Sequence, residues 1–173
     1  MKNYLAAFSA LFLPGTAVAQ SAAVCLSSPE AEALVTYALP SAIRAMTTRC
    51  ASVLPATTAL VQSGPIIAAR YQPDADRAWP VARVAFDKVS GLPLAGLLGE
   101  PGAKGLIDAA FGAGLAEKVK PEDCGKVDRM INILEPLPAK NMAMLITALM
   151  EFGNASRRTK APLNVCPAPL VAK

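Results

Sequence analysis

The chain has 173 residues, 53% of them apolar and 5% aromatic, with 17 basic and 13 acidic residues, a formal charge of +4 at pH 7 and no histidine. So mild a positive balance excludes the dense basic face that nucleic-acid binding uses. The missing imidazole excludes Ser-His-Asp and Cys-His nucleophile systems, and the His-containing zinc and haem sites.

Met1–Ala19 comes first in the chain. It carries one charge, Lys2, then the mostly apolar run Leu5–Leu13, a Pro14-Gly15 break and the small triplet Ala17-Val18-Ala19. That layout predicts a secretory signal peptide cleaved after Ala19. An uncleaved anchor needs about 20 apolar residues, and Pro14-Gly15 cuts the run short. A lipid-modified cysteine is disfavoured too, because Cys25 follows Val24 and lies well past the run. The expected organisation is a leader over 1–19, a single helical domain over 20–153 and a tail over 154–173 tied back by Cys166. The expected compartment is periplasmic or secreted, with no transmembrane span after cleavage.

Alanine and leucine favour helix, and long β-branched alternation is absent, so the expected class is all-α. Ser28-Pro29 opens a helix of about ten residues, with Ser28 as N-cap and an apolar stripe of Ala31, Leu34, Val35 and Ala38. Leu39-Pro40-Ser41 reads as a break. A second helix runs from Ser41 to Val53 with Ile43, Met46, Cys50 and Val53 on one face. Leu54-Pro55 starts a third, stopped by Ser63-Gly64-Pro65. Ile66–Tyr71 has no clear period and Gln72–Asp76 reads as a turn. Trp79-Pro80 leads a helix to Val89, with Val81, Val84, Ala85 and Lys88 in register and Arg83 placed to pair with Asp87.

Ser90–Gly105 is rich in glycine and proline. It reads as a connector, with a functional lid as the sharper alternative. Lys104–Lys118 predicts a helix with Ile107, Ala110, Phe111 and Gly114 along one side. Pro121-Glu122-Asp123 starts another, ending at Leu134, with Val127, Met130, Ile131 and Leu134 as its stripe. Pro136-Leu137-Pro138 turns the chain. Ala139–Phe152 is apolar nearly all round, with Met142, Leu145, Ile146, Leu149 and Met150 as its main stripe. Such a helix is expected to be the most buried element, with Gly153 as its cap. The sum is a small disulfide-stabilised bundle of about six to seven short helices.

Cys25, Cys50, Cys124 and Cys166 allow three pairings. Two helical hairpins, turning at Pro40 and at Pro136–Pro138, favour Cys25–Cys50 and Cys124–Cys166. No C-x-x-C spacing supports zinc or redox chemistry.

Catalytic motifs are sparse. Gly112-Ala113-Gly114 starts like a dinucleotide-binding loop, but Glu117 occupies the third glycine position and no strand precedes it. Asp74 with Asp76, and Glu122 with Asp123, are the closest carboxylate pairs for a histidine-free acid hydrolase. Turn chemistry and the helix dipole explain both without catalysis. No cofactor is expected. Arg157-Arg158-Thr159-Lys160 is the densest basic run, and Tyr71 and Trp79 flank a turn with Arg70 and Arg77. Tyr71, Trp79, Arg157, Arg158 and Lys160 are therefore the candidate surface-binding residues. The expected function is non-enzymatic binding to a protein or an anionic envelope surface. A carrier of a small apolar ligand between helices is the alternative, and the acid hydrolase the second.

Overall fold

A computed structural model of the chain describes residues 24–156 and 163–167. The expected signal peptide, together with Arg157, Arg158 and Lys160, lies outside the described residues. Among those described, the fold is all-helical, with five α-helices and no strand. The helices are α1 (Ser28–Cys50), α2 (Ala59–Ser90), α3 (Leu94–Ala116), α4 (Cys124–Leu134) and α5 (Ala139–Ser156), and a 3-10 turn at Pro121–Asp123 leads into α4.

The count falls short of six to seven because proline does not break these helices. α1 runs straight through Pro40, and α2 through Pro65, Pro73 and Pro80. The three α2 prolines are all exposed. Spaced by two helical turns, they share one outer face. On such a face water can satisfy the carbonyls freed by the missing N–H groups, and a helix can bend convex toward solvent. The segments read as a turn at Gln72–Asp76 and a stop at Ser63-Gly64-Pro65 are therefore both helical. Most of Ser90–Gly105 is helical as well. The actual turn is only Gly91–Pro93, where Gly91 adopts φ 71° and donates its N–H to Asp87 O at 2.9 Å. That left-handed cap suits glycine. Gly99, at φ 70°, kinks α3, and the helix resumes with Pro101 in its first new turn.

α1 is the central element. Ala31, Leu34, Val35, Ala38, Ile43 and Cys50 are buried as expected, while Val53 lies beyond the helix and is exposed. Its N-cap is Ser27, one residue earlier than Ser28. The Ser27 N–H donates to Glu30 Oε2 at 2.7 Å, the carboxylate half of a capping box, and the Ser27 hydroxyl donates to the same oxygen at 2.9 Å. α2 lies antiparallel to α1. Thr47 Oγ1 reaches Leu60 O at 3.3 Å near one end, and Lys88 Nζ meets Glu30 Oε2 at 2.9 Å near the other. Gly64 allows the close approach, because a Cβ there would strike Thr47 Oγ1. Further along, α2 buries Ala75, Ala82 and Ala85 and leaves Val81 and Val84 exposed. The valines of the expected stripe thus point outward, and alanines make the tight contact. Arg83 pairs with Glu100 at 3.4 Å rather than with Asp87, and Asp87 accepts the Leu94 N–H at 3.0 Å.

Two clusters fill the interior. Leu39, Ile43, Leu60, Ile67, Tyr71, Ile131 and Met142 join α1, α2, α4 and α5. Leu26, Leu34, Tyr37, Ala82, Leu94, Ile107 and Val165 join the other halves of α1 and α2 to α3 and the tail. Residues 163–167 lie beside the segment that leads into α1. Leu26 N–H donates to Asn164 O at 2.8 Å and Cys166 N–H to Leu26 O at 2.7 Å.

The disulfides are Cys25–Cys166 and Cys50–Cys124. This corrects the hairpin pairing. The hairpin argument needed a turn at Pro40, but α1 is continuous there and carries Cys50 to the far end from Cys25. The tail does return, but to Cys25 beside the start of α1.

Candidate functional site

Of the residues named from sequence for surface contact, Tyr71 and Trp79 lie among the described residues. Tyr71 is 1% exposed, and its hydroxyl donates to Leu137 O at 2.6 Å. The Arg70 guanidinium lies 5.5 Å from its ring centroid and hydrogen-bonds Glu135 O. Trp79 is partly buried, with its ring 4.9 Å from Tyr37 and its Nε1–H donating to Glu100 Oε2 at 2.7 Å. Both aromatics fasten helices together.

The charges of α3 are engaged in the same way. Its three charged residues all turn toward α1 and α2. Glu100 meets Trp79 and Arg83, Lys104 Nζ meets Asp76 Oδ1 at 2.8 Å, and the Asp108 carboxylate lies near the Tyr37 hydroxyl, which donates to Lys104 O at 3.3 Å. Burial, together with the Asp108 carboxylate, pushes the Tyr37 hydroxyl far above its ordinary range, so it stays neutral. Leu97, Leu98 and Leu106 remain exposed.

The carboxylate pairs each have cationic neighbours. Asp74 pairs with Arg77, and Asp76 with Lys104. The Lys104 hydrogen bond holds Asp76 below the usual carboxylate range, and Lys126 does the same for Asp123. A catalytic acid requires the opposite shift. An open cleft of about 300 Å³ lies where α2 meets the α4–α5 turn, lined by Arg70, Tyr71, Pro136, Leu137 and Pro138 among others. Among the described residues, no group of three or more His, Cys, Asp or Glu is placed to hold a metal ion.

The largest departure from expectation is α5. Met142, Ala143 and Thr147 are buried against the core, and Ile146 and Met150 are partly so. Among the described residues nothing covers the opposite side. Met144 (45% exposed), Leu145 (42%), Leu149 (64%) and Phe152 (80%) share one face with exposed Ala148. The only acid in α5, Glu151, is held at its edge by Ser28 Oγ, which donates to Oε1 at 2.6 Å. The outer face of α5 is therefore apolar, flanked by Lys140 and Asn141 and free of negative charge. Sequence periodicity found the apolar residues but could not tell which side would be covered.

Among the described residues no helix is long and apolar enough to cross a membrane. Comparison with known protein families, with characterised proteins and with solved structures finds no match to this chain.

Proposed function

We propose that this chain is an exported, non-enzymatic helical protein, periplasmic or secreted, that works by docking through an apolar helix face onto a protein or envelope surface. The observation that carries the reading is the uncovered side of α5, where Leu149 and Phe152 stand 64% and 80% exposed. A helix apolar on both sides is normally buried on both, and contiguous exposed apolar surface marks interaction sites. The two disulfides and the leader-like first 19 residues support an oxidising compartment. The test is intact mass spectrometry of the native material, joined to fractionation of the producing cell. The expected result is an amino end at Gln20, no free thiol, and envelope retention that falls on Leu149→Asp/Phe152→Asp substitution. An unprocessed chain with four free thiols refutes the reading.

The carrier reading draws support from the cleft beside Tyr71, whose walls include Pro136, Leu137 and Pro138. Saturable one-site uptake of a solvatochromic lipid, blocked by Leu137→Trp, would favour it over docking.

A further inference from the structure

The surface that α5 fits can be narrowed, and the argument rests on the docking reading above. The exposed face Met144–Leu145–Leu149–Phe152 is aliphatic with a single aromatic at its end. It carries no acid, because Glu151, the only one in α5, is engaged by Ser28. Lys140 is exposed at its start. The sequence after Phe152 adds a second, independent feature. Gly153–Lys173 contains Arg157, Arg158, Lys160 and Lys173 and no Asp or Glu. The chain has 17 basic and 13 acidic residues in all, so the remaining 13 basic residues balance the 13 acids. The entire net charge of +4 thus follows the apolar face in sequence, and cleavage after Ala19 would remove Lys2 and leave Gln20–Phe152 with 12 basic and 13 acidic residues.

An apolar helix face with leucine and phenylalanine, joined to localised positive charge, is the composition that lies in the plane of an anionic bilayer. A protein partner would call for polar specificity around the apolar centre, and this face offers only Asn141 and Lys140. We infer that α5 docks on a bilayer of anionic phospholipid. Its apolar side enters the headgroup–acyl boundary while α1 and α2 hold the other side.

The experiment is flotation of the oxidised chain, as the producing cell exports it, with phosphatidylglycerol/phosphatidylcholine vesicles and with pure phosphatidylcholine vesicles, at low and high salt. Partitioning is expected to favour the anionic vesicles by about tenfold or more and to weaken with salt. Leu149→Asp/Phe152→Asp should lower it by at least about tenfold. Val84→Asp, at an exposed valine on α2, should leave it unchanged. Helical circular dichroism and both disulfides confirm that each variant is folded. Equal partitioning on neutral vesicles, or indifference to the α5 substitutions, overturns the inference. A photo-crosslinker at position 152 separates this inference from the reading beneath it. Lipid adducts in the native envelope support both. Protein adducts overturn the bilayer assignment and leave docking standing. Absence of either adduct overturns both.

Discussion

Breaking the disulfides one at a time tests the topology directly. Cys25–Cys166 spans 141 residues and Cys50–Cys124 spans 74, and the second lies inside the first. With the inner bridge closed, the outer one therefore closes a ring of only about 67 residues. In the chain-entropy account each bridge stabilises the fold by about 4 kcal/mol when the other is present. Nesting adds a coupling. The outer bridge contributes about 0.7 kcal/mol less with the inner one closed, since 1.5RT times the logarithm of the ring-size ratio is of that order. Side-by-side bridges, as in the hairpin pairing, would show no such coupling. The perturbations are Cys25→Ala/Cys166→Ala, Cys50→Ala/Cys124→Ala and the fourfold variant, measured by urea unfolding as a double-mutant cycle. Alanine avoids burying an unpartnered hydroxyl at Cys50 and Cys124, both buried. Each pair should lose about 4 kcal/mol, and the fourfold variant about 0.7 kcal/mol more than the sum of the two losses. Additive losses, or non-reducing peptide maps joining Cys25 to Cys50, would refute the nested topology.

The remaining predictions concern single side chains. Lys88 and the Ser27 N–H hold Glu30 at a pKa of about 2, below the ordinary carboxylate value. Its contribution is therefore fully present above about pH 4.5 and is lost as pH falls toward 2. Glu30→Gln should cost about 1 kcal/mol at neutral pH, discounted for partial exposure, and flatten the acid limb of the stability profile. An unchanged acid limb would show that the cap is not ionically reinforced. Gly64→Ala should destabilise by about 1–3 kcal/mol, because the new methyl displaces Thr47 Oγ1 from its bonds to Ile43 O and Leu60 O. Adding Thr47→Ala should recover part of that loss in thermal melts. Thr147 is 2% exposed, and its hydroxyl has no hydrogen-bond partner among the described residues. Thr147→Val should accordingly stabilise by about 1 kcal/mol or more, and a fall in the urea midpoint would count against that burial.

Much of the helical content was legible in the sequence. The stripe Ala31, Leu34, Val35 and Ala38 marked the buried side of α1, and Ile107 and Ile131 marked α3 and α4. α4 ends at Leu134 and α5 starts at Ala139, as the Pro136-Leu137-Pro138 turn implies. Proline misled inside the helices because its local penalty depends on which way the freed carbonyl faces. A sequence does not say that Pro65, Pro73 and Pro80 stand outside the bundle. The disulfide partners followed from that same reading, since they depended on a turn at Pro40. α5 was misjudged for another reason. Periodicity reports that both sides are apolar but not how much bundle is available to cover them. Of the candidate surface residues, Tyr71 and Trp79 went to interhelical contacts because a large ring with one polar atom satisfies itself best at a helix junction.

The placement of the cysteines bears on the order in which the chain matures. A polypeptide emerging from its amino end into an oxidant presents Cys25 first and Cys50 next, and neither is the other's native partner. Cys166, which completes the outer loop, arrives only after all five described helices have emerged. Oxidation in order of arrival therefore yields the wrong crosslink. If the chain is exported as proposed above, correct closure requires thiols kept waiting, or a catalyst of exchange to undo the early pair.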